Sequence, residues 1–114
     1  MRALAEFPEI NLFIEPIDFR RGRDFMASLA GQAIYRGTLF AFTNRRRDRI
    51  RCLYWDTTGY AMWTKWLDRE RFKWPTRRQS NPMVVSSEQL RWLLAGLNIE
   101  KMRGHEKVEP KYPS

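Results

Sequence analysis

The sequence predicts an α+β fold, an antiparallel meander of about four to six strands with two helices packed on one face. Three observations predict it. Between Thr38 and Trp74, strand-length runs rich in aromatic residues are separated by short polar links, the pattern of hairpin-connected strands. One segment before this region and one after it repeat their apolar residues every three or four positions, as a helix facing a core must. The chain of 114 residues, 43% hydrophobic and 14% aromatic, is sized for a single core built largely from big rings.

Taken in order, residues 1–9 carry little pattern and are expected to be poorly ordered. Ile10, Leu12 and Ile14 alternate with Asn11 and Phe13, a short strand that stops before Pro16. Phe25, Leu29 and Ala33 recur every four residues with Met26 and Ala30 beside them, which predicts a helix over 21–33. Asp18 or Asp24 favours its start, and Gly37 limits its end. The run Thr38-Leu39-Phe40-Ala41-Phe42 reads as a strand buried on both faces. Ile50 to Trp55 forms a second strand across a basic loop, and Asp56-Thr57-Thr58-Gly59 is turn chemistry, with Gly59 free to take positive φ.

Tyr60, Met62, Thr64 and Trp66 then alternate with Ala61, Trp63 and Lys65, a third strand of the meander. Arg71-Phe72-Lys73-Trp74 alternates basic and aromatic residues and predicts a fourth, closed by Pro75. A polar loop follows over 76–82, and Met83 to Val85 adds an edge strand. Ser86 with Gln89 three positions on is a capping box, and Leu90, Leu93, Leu94 and Leu97 form the stripe of a closing helix that ends near Gly96. Residues 10–100 are read as a single domain and 101–114 as a flexible tail.

The formal charge is +8, but its distribution says more than its size. From Arg20 to Arg78 there are 15 Lys and Arg against five Asp and Glu, a local net of +10. Five of these fall within seven positions, Arg45, Arg46, Arg47, Arg49 and Arg51, on the loop and strand after Phe42. Cations clustered on a folded element favour a polyanionic partner, because each one placed on a phosphate releases condensed counterions. Arg71 and Lys73 share one side of their strand, and Lys65 on the neighbouring strand is expected to join them. A solvated polar face is the competing reading of the same charges. The tryptophans and Tyr60 are either core rings or stacking platforms for unpaired bases, with Trp66 singled out because it lies beside charged residues late in its strand.

Catalysis finds little support. The single cysteine, Cys52, excludes an intramolecular disulfide and a cysteine-rich zinc site, and the single histidine, His105, lies in the polar tail. Asp18, Asp24, Asp48, Asp56, Asp68 and Glu70 each have a capping, turn or ion-pair explanation, so the metal-holding carboxylate pair of a nuclease is the least favoured assignment. No phosphate-cradling glycine loop and no hydrolase or zinc-protease motif occurs, so no cofactor and no metal is expected. No secretory h-region and no apolar run of membrane-spanning length is present, and a cytoplasmic location is expected.

Several stretches are more specific than composition. The run from Gly37 through Thr43-Asn44-Arg45-Arg46-Arg47-Asp48-Arg49-Ile50-Arg51-Cys52-Leu53-Tyr54-Trp55-Asp56 to Gly59, followed by Lys65 to Pro75, resembles the TnpB accessory family of insertion-sequence-66 elements. Asp18-Phe19-Arg20-Arg21-Gly22 is similar to that family's Asp-Met-Arg-Lys-Gly element, and Ser87-Glu88-Gln89-Leu90 with Leu93 to Leu97 resembles its closing helix. The likeness spans residues 10–99, and departs where Lys65-Trp66-Leu67-Asp68 stands in place of the usual Lys-Arg-Leu-Glu. It implies a bacterial mobile-element protein that helps a separate transposase and has no established biochemical activity of its own, unrelated to the RNA-guided nuclease of the same name. The expectation is a non-catalytic accessory protein that binds insertion-sequence ends, or the transposase on DNA, through Arg45, Arg46, Arg47, Arg49 and Arg51 with Lys65, Arg71 and Lys73. The transposase and the element's other accessory protein are its expected partners. An adaptor that grips an acidic surface of the transposase without touching DNA is the alternative.

Overall fold

A computed structural model describes residues 2–76 and 81–102. Its frame is a five-stranded sheet of β1 (Glu9–Leu12), β2 (Thr38–Thr43), β3 (Arg49–Asp56), β4 (Gly59–Trp66) and β5 (Met83–Val85), in the order β4-β3-β2-β1-β5. Two helices, α1 (Gly22–Ala30) and α2 (Ser87–Leu94), complete the α+β fold.

The meander is real over β2, β3 and β4, which pair antiparallel through short links. β1 departs from it by pairing parallel with β2, Ile10 opposite Leu39 and Leu12 opposite Ala41. A parallel pair needs a crossover longer than a hairpin, and α1 with the 3-10 turn Gly31–Arg36 supplies it. Beyond Leu12 the chain keeps company with β2, the Phe13 and Ile17 amides donating to the carbonyls of Ala41 and Thr43 at 2.9 Å each. β5 pairs antiparallel with the outer edge of β1.

The two helices do not share a face. Leu39 and Ala41 point into the core under α2, with Ile50, Cys52 and Leu90. Phe40 and Phe42 point into the core under α1, with Met26 and Ile34. The reason lies in β2, all six residues of which are buried. A strand apolar on both sides needs cover on both sides.

Within α1 the buried line is Met26, Ala30 and, in the following turn, Ile34, while Phe25, Leu29 and Ala33 are only partly covered. The stripe therefore sits one residue on from the expected one. The α-helix stops early because Gly31 takes φ +69°, and the tighter 3-10 turn that follows ends at Gly37 with φ +98°. In the β3–β4 turn it is Thr57, at φ +57°, that takes the left-handed conformation expected of Gly59. A hairpin loop of two residues places its positive φ at the loop itself, and Gly59 is already paired with Asp56.

Arg71 to Trp74 is extended but is not a strand. Phe72 and Trp74 are buried and Arg71 and Lys73 exposed, so the alternation is genuine. The segment runs across the strand ends instead of along β4. The Phe72 amide reaches the Arg47 carbonyl at 2.7 Å, and the Trp74 indole reaches the Phe13 carbonyl at 3.1 Å. An extended chain lying on a core buries every second residue whether or not a ladder forms. This traverse carries the chain from the β4 edge as far as Phe13, just beyond the end of β1.

α2 has the expected capping box, Gln89 N to Ser86 Oγ at 3.0 Å and Ser86 N to Gln89 Oε1 at 2.8 Å, and Gly96 follows its end at φ +92°. A further helical turn begins at Ile99, where the Asn98 side chain accepts from the Glu100 and Lys101 amides. Before β1, a 3-10 turn at Leu4–Glu6 sets Phe7 into the core against Tyr54. The tail beyond residue 102 lies outside the described residues.

Candidate functional site

The β2–β3 loop, Asn44 to Asp48, is tied down from within. Asn44 accepts from the Arg49 amide through Oδ1 at 3.2 Å and donates through Nδ2 to Asp48 at 2.7 Å, while its carbonyl takes the Arg47 amide at 3.0 Å. Arg47 closes the turn at φ +59°. From outside, Leu67 N donates to Asp48 O at 2.8 Å, and Phe72 N to Arg47 O. The Asn44 amide, with weaker help from Arg46 and Arg49, holds the Asp48 carboxyl below the usual carboxylate range. The loop backbone is thus held at Asn44, Arg47 and Asp48, and the side chains of Arg45 and Arg46 stand exposed.

Arg49 and Arg51 continue the charge along β3 on the face that α1 partly covers, since Arg51 and Leu53 alternate away from Ile50 and Cys52. Arg49 lies opposite Trp66 across the ladder, its guanidinium 5.1 Å from the indole centroid, and its Nε is buried without a hydrogen-bond acceptor. Arg51 is engaged, with Nε on Thr64 Oγ1 at 2.9 Å and the guanidinium 4.5 Å from the Phe19 ring. Burial and then the neighbouring Arg49 lower its proton affinity, but a guanidinium remains charged.

Beside this face lies an open pocket of about 250 Å³ lined by Ile17, Asp18, Phe19, Arg20, Asn44, Arg45, Arg46 and Arg49. It joins the loop to the segment just before α1, because the path from β1 runs parallel to β2 as far as Thr43. Asp18 is paired here with Arg20 at 2.8 Å and caps the turn Phe19–Arg21 through the Arg20 amide. The Arg20 side chain, chiefly, brings its carboxyl down to about 2. A charged Asp18 therefore already has its counter-ion, and Arg45, Arg46 and Arg49 face the pocket in excess.

The remaining sequence-predicted residues divide. Arg47 anchors the loop by its backbone, and its side chain is half-buried with Nε unpartnered. Arg71 and Lys73 are exposed on either side of Phe72, whose amide docks on the loop. Lys65 is elsewhere. It pairs with Ile50, on the α2 side of the sheet, and its Nζ donates to the Leu94 carbonyl at the end of α2 at 2.9 Å. Ile17, Asp18, Phe19, Arg20 and Asn44, none of them predicted as part of the site, belong to it, and only the parallel β1–β2 pairing, which no local pattern announces, brings the first four there. Trp66, singled out by its charged neighbours, is 61% exposed.

Among the described residues no three His, Cys, Asp or Glu gather as a metal-binding group, and no helix is long and apolar enough to cross a membrane. Cys52 is fully buried, its thiol pushed up to about 12 by desolvation. Fold and site together define a small α+β domain that presents arginines from one hairpin loop and one sheet face.

Residues 8–104 match the family described as IS66 Orf2 like protein, and the chain belongs to that family of generally non-catalytic accessory proteins of transposition. Among curated relatives, an uncharacterized protein, y4jC, of Sinorhizobium fredii (strain NBRC 101917 / NGR234) is 37% identical over 98 residues, covering 82% of this chain and 83% of the relative. A second from the same strain, y4hO, is 36% identical over 62 residues, about half of each chain, at 54% and 53%. No solved structure matches.

Proposed function

We propose that the protein assists IS66-type transposition in the cytoplasm by binding DNA of the element, or the transposase on that DNA, through the basic loop and the face beside it, without catalysing a reaction. The observation that carries this reading is the convergence of Arg20, Arg45, Arg46 and Arg49 on one pocket in which Asp18 is already neutralised by Arg20. Arg47, Arg51, Arg71 and Lys73 border that site in the proposed interface. Lys65 is assigned instead to the support of α2.

Arginine suits the task, since its planar fork matches phosphate oxygens and its charge is permanent. The loop gives it a fixed base. Because Asn44, Leu67 and Phe72 hold the loop backbone, binding would order side chains only, which limits the entropic cost.

Gel-shift titration on insertion-sequence ends over a salt series tests the reading. Binding that weakens steeply with salt, and is lost when Arg45, Arg46 and Arg49 are replaced by alanine, is the expected result. Unchanged affinity in that variant would refute it. Retention of purified transposase after nuclease treatment, equally dependent on these arginines, would favour the adaptor that grips an acidic protein surface.

A further inference from the structure

Four of the five tryptophans have a packing role. Trp74 is buried with its indole N–H on the Phe13 carbonyl, Trp63 and Trp92 pack against the core under α2, and Trp55 stacks edge-on with Tyr35 and Tyr60. Among the described residues Trp66 has none of these. It is the last residue of β4, which among them pairs only with β3, and it is 61% exposed. One neighbour is assigned to it, the Arg49 guanidinium, which also lines the arginine pocket.

We infer that Trp66 and Arg49 form a seat for one unpaired nucleotide at the edge of the basic face. Resting on the DNA-binding reading above, this specifies its substrate as a strand with at least one base out of the duplex. The base lies on the open indole, and its phosphate turns toward Arg45, Arg46 and Arg49. Arg49 joins the two parts of the seat, because its guanidinium lies 5.1 Å from the indole centroid and it also lines the pocket. The charge suits a nucleotide. Arg49 sets a cation beside an exposed ring, and ring with cation is the pairing that single-strand sites use. A protein partner could also cover an exposed tryptophan. The charged neighbour of this one is the Arg49 guanidinium, which favours a polyanion, although Met62 on the same face is also exposed.

In paired duplex DNA the bases are stacked on one another, so the seat separates two kinds of ligand. The test measures affinity of the full chain for an oligothymidylate, for a blunt duplex and for the same duplex with an unpaired tail. The wild type is expected to prefer the ligands with unpaired bases. Trp66→Ala should lose about 5- to 160-fold on those ligands and little on the blunt duplex, and Trp66→Phe should recover part of the loss. Oligothymidylate should also quench indole emission in the wild type by more than in Trp66→Phe. Matching thermal unfolding of the variants keeps a folding defect apart from a lost contact.

If the blunt duplex binds through the arginines while Trp66→Ala leaves every ligand unchanged, the seat is refuted and the DNA-binding reading stands. If no nucleic acid binds the wild type, both fall. If Trp66→Ala instead weakens only the grip on purified transposase, the indole is a protein contact and the nucleotide seat is refuted.

Discussion

Removing Arg45 and Arg46 together, with Lys65→Met as its counterpart, asks whether position in the fold or charge alone governs the proposed DNA binding. All three residues sit in the basic central region of the sequence, and by composition they are equivalent. The structure separates them. Arg45 and Arg46 are exposed, and Arg46 has only a long ion pair to Asp48 at 3.8 Å. Lys65 spends its ammonium on the last turn of α2.

If Arg45, Arg46 and Arg49 each meet a phosphate on duplex DNA while Arg20 stays paired with Asp18, the log–log salt slope is about −2.7, at about −0.9 per contact. From about 50 to about 200 mM salt the wild type then loses about 40-fold in affinity. Arg45→Ala/Arg46→Ala leaves one contact, a slope of about −0.9 and a loss of only about 3.5-fold over the same range. Lys65→Met should keep the wild-type slope and lose instead about 1 kcal/mol of stability, since it removes a charge-assisted hydrogen bond at a helix C-terminus. Fluorescence anisotropy at several salt concentrations gives the slopes, and urea unfolding gives the stability. Equal slopes for the wild type and the double variant, or a flattened slope for Lys65→Met, would refute the assignment.

Three further outcomes follow from the same structure. Thr57→Gly should stabilise the fold by about 0.5–1 kcal/mol in urea, because a β-branched residue at φ +57° pays the left-handed penalty that glycine escapes, less the added freedom of the unfolded chain. The Asp18 carboxyl, followed by NMR, should titrate near pH 2 and move up toward the ordinary value near 4 in Arg20→Ala. Its folded value is depressed, so its contribution to stability is complete above about pH 4 and is lost as pH falls through about 2. Cys52, fully buried with its thiol raised to about 12, should resist Ellman's reagent at pH 8 until the protein is unfolded.

Local chemistry was legible from the residues. The Ser86–Gln89 capping box, the β2–β3–β4 meander and the short edge strand at Met83 depend on neighbours in sequence, and each stands where its pattern placed it. What depended on distant contacts was not legible. The Arg71–Trp74 alternation records burial against a core, and burial alone cannot say whether a strand lies alongside. The two-sided cover of the sheet is implied by a wholly apolar Leu39 to Phe42, which conflicts with the expectation of both helices on one face.

The candidate site shows the same division in functional terms. The arginine run marks the loop, but it cannot say which cations the fold keeps for itself. In this protein the answer turns on strand phase. Arg49 and Arg51 fall on the α1 side of β3, whereas Lys65, opposite Ile50, falls on the α2 side. A one-residue change of phase thus converts a cation from a surface group to a helix cap. The parallel β1–β2 pairing works in the other sense, adding Arg20 to a loop more than twenty residues away. For the proposed DNA interface, charge count in the sequence therefore bounds the number of phosphate contacts from above, and the ladder register selects which cations could make them.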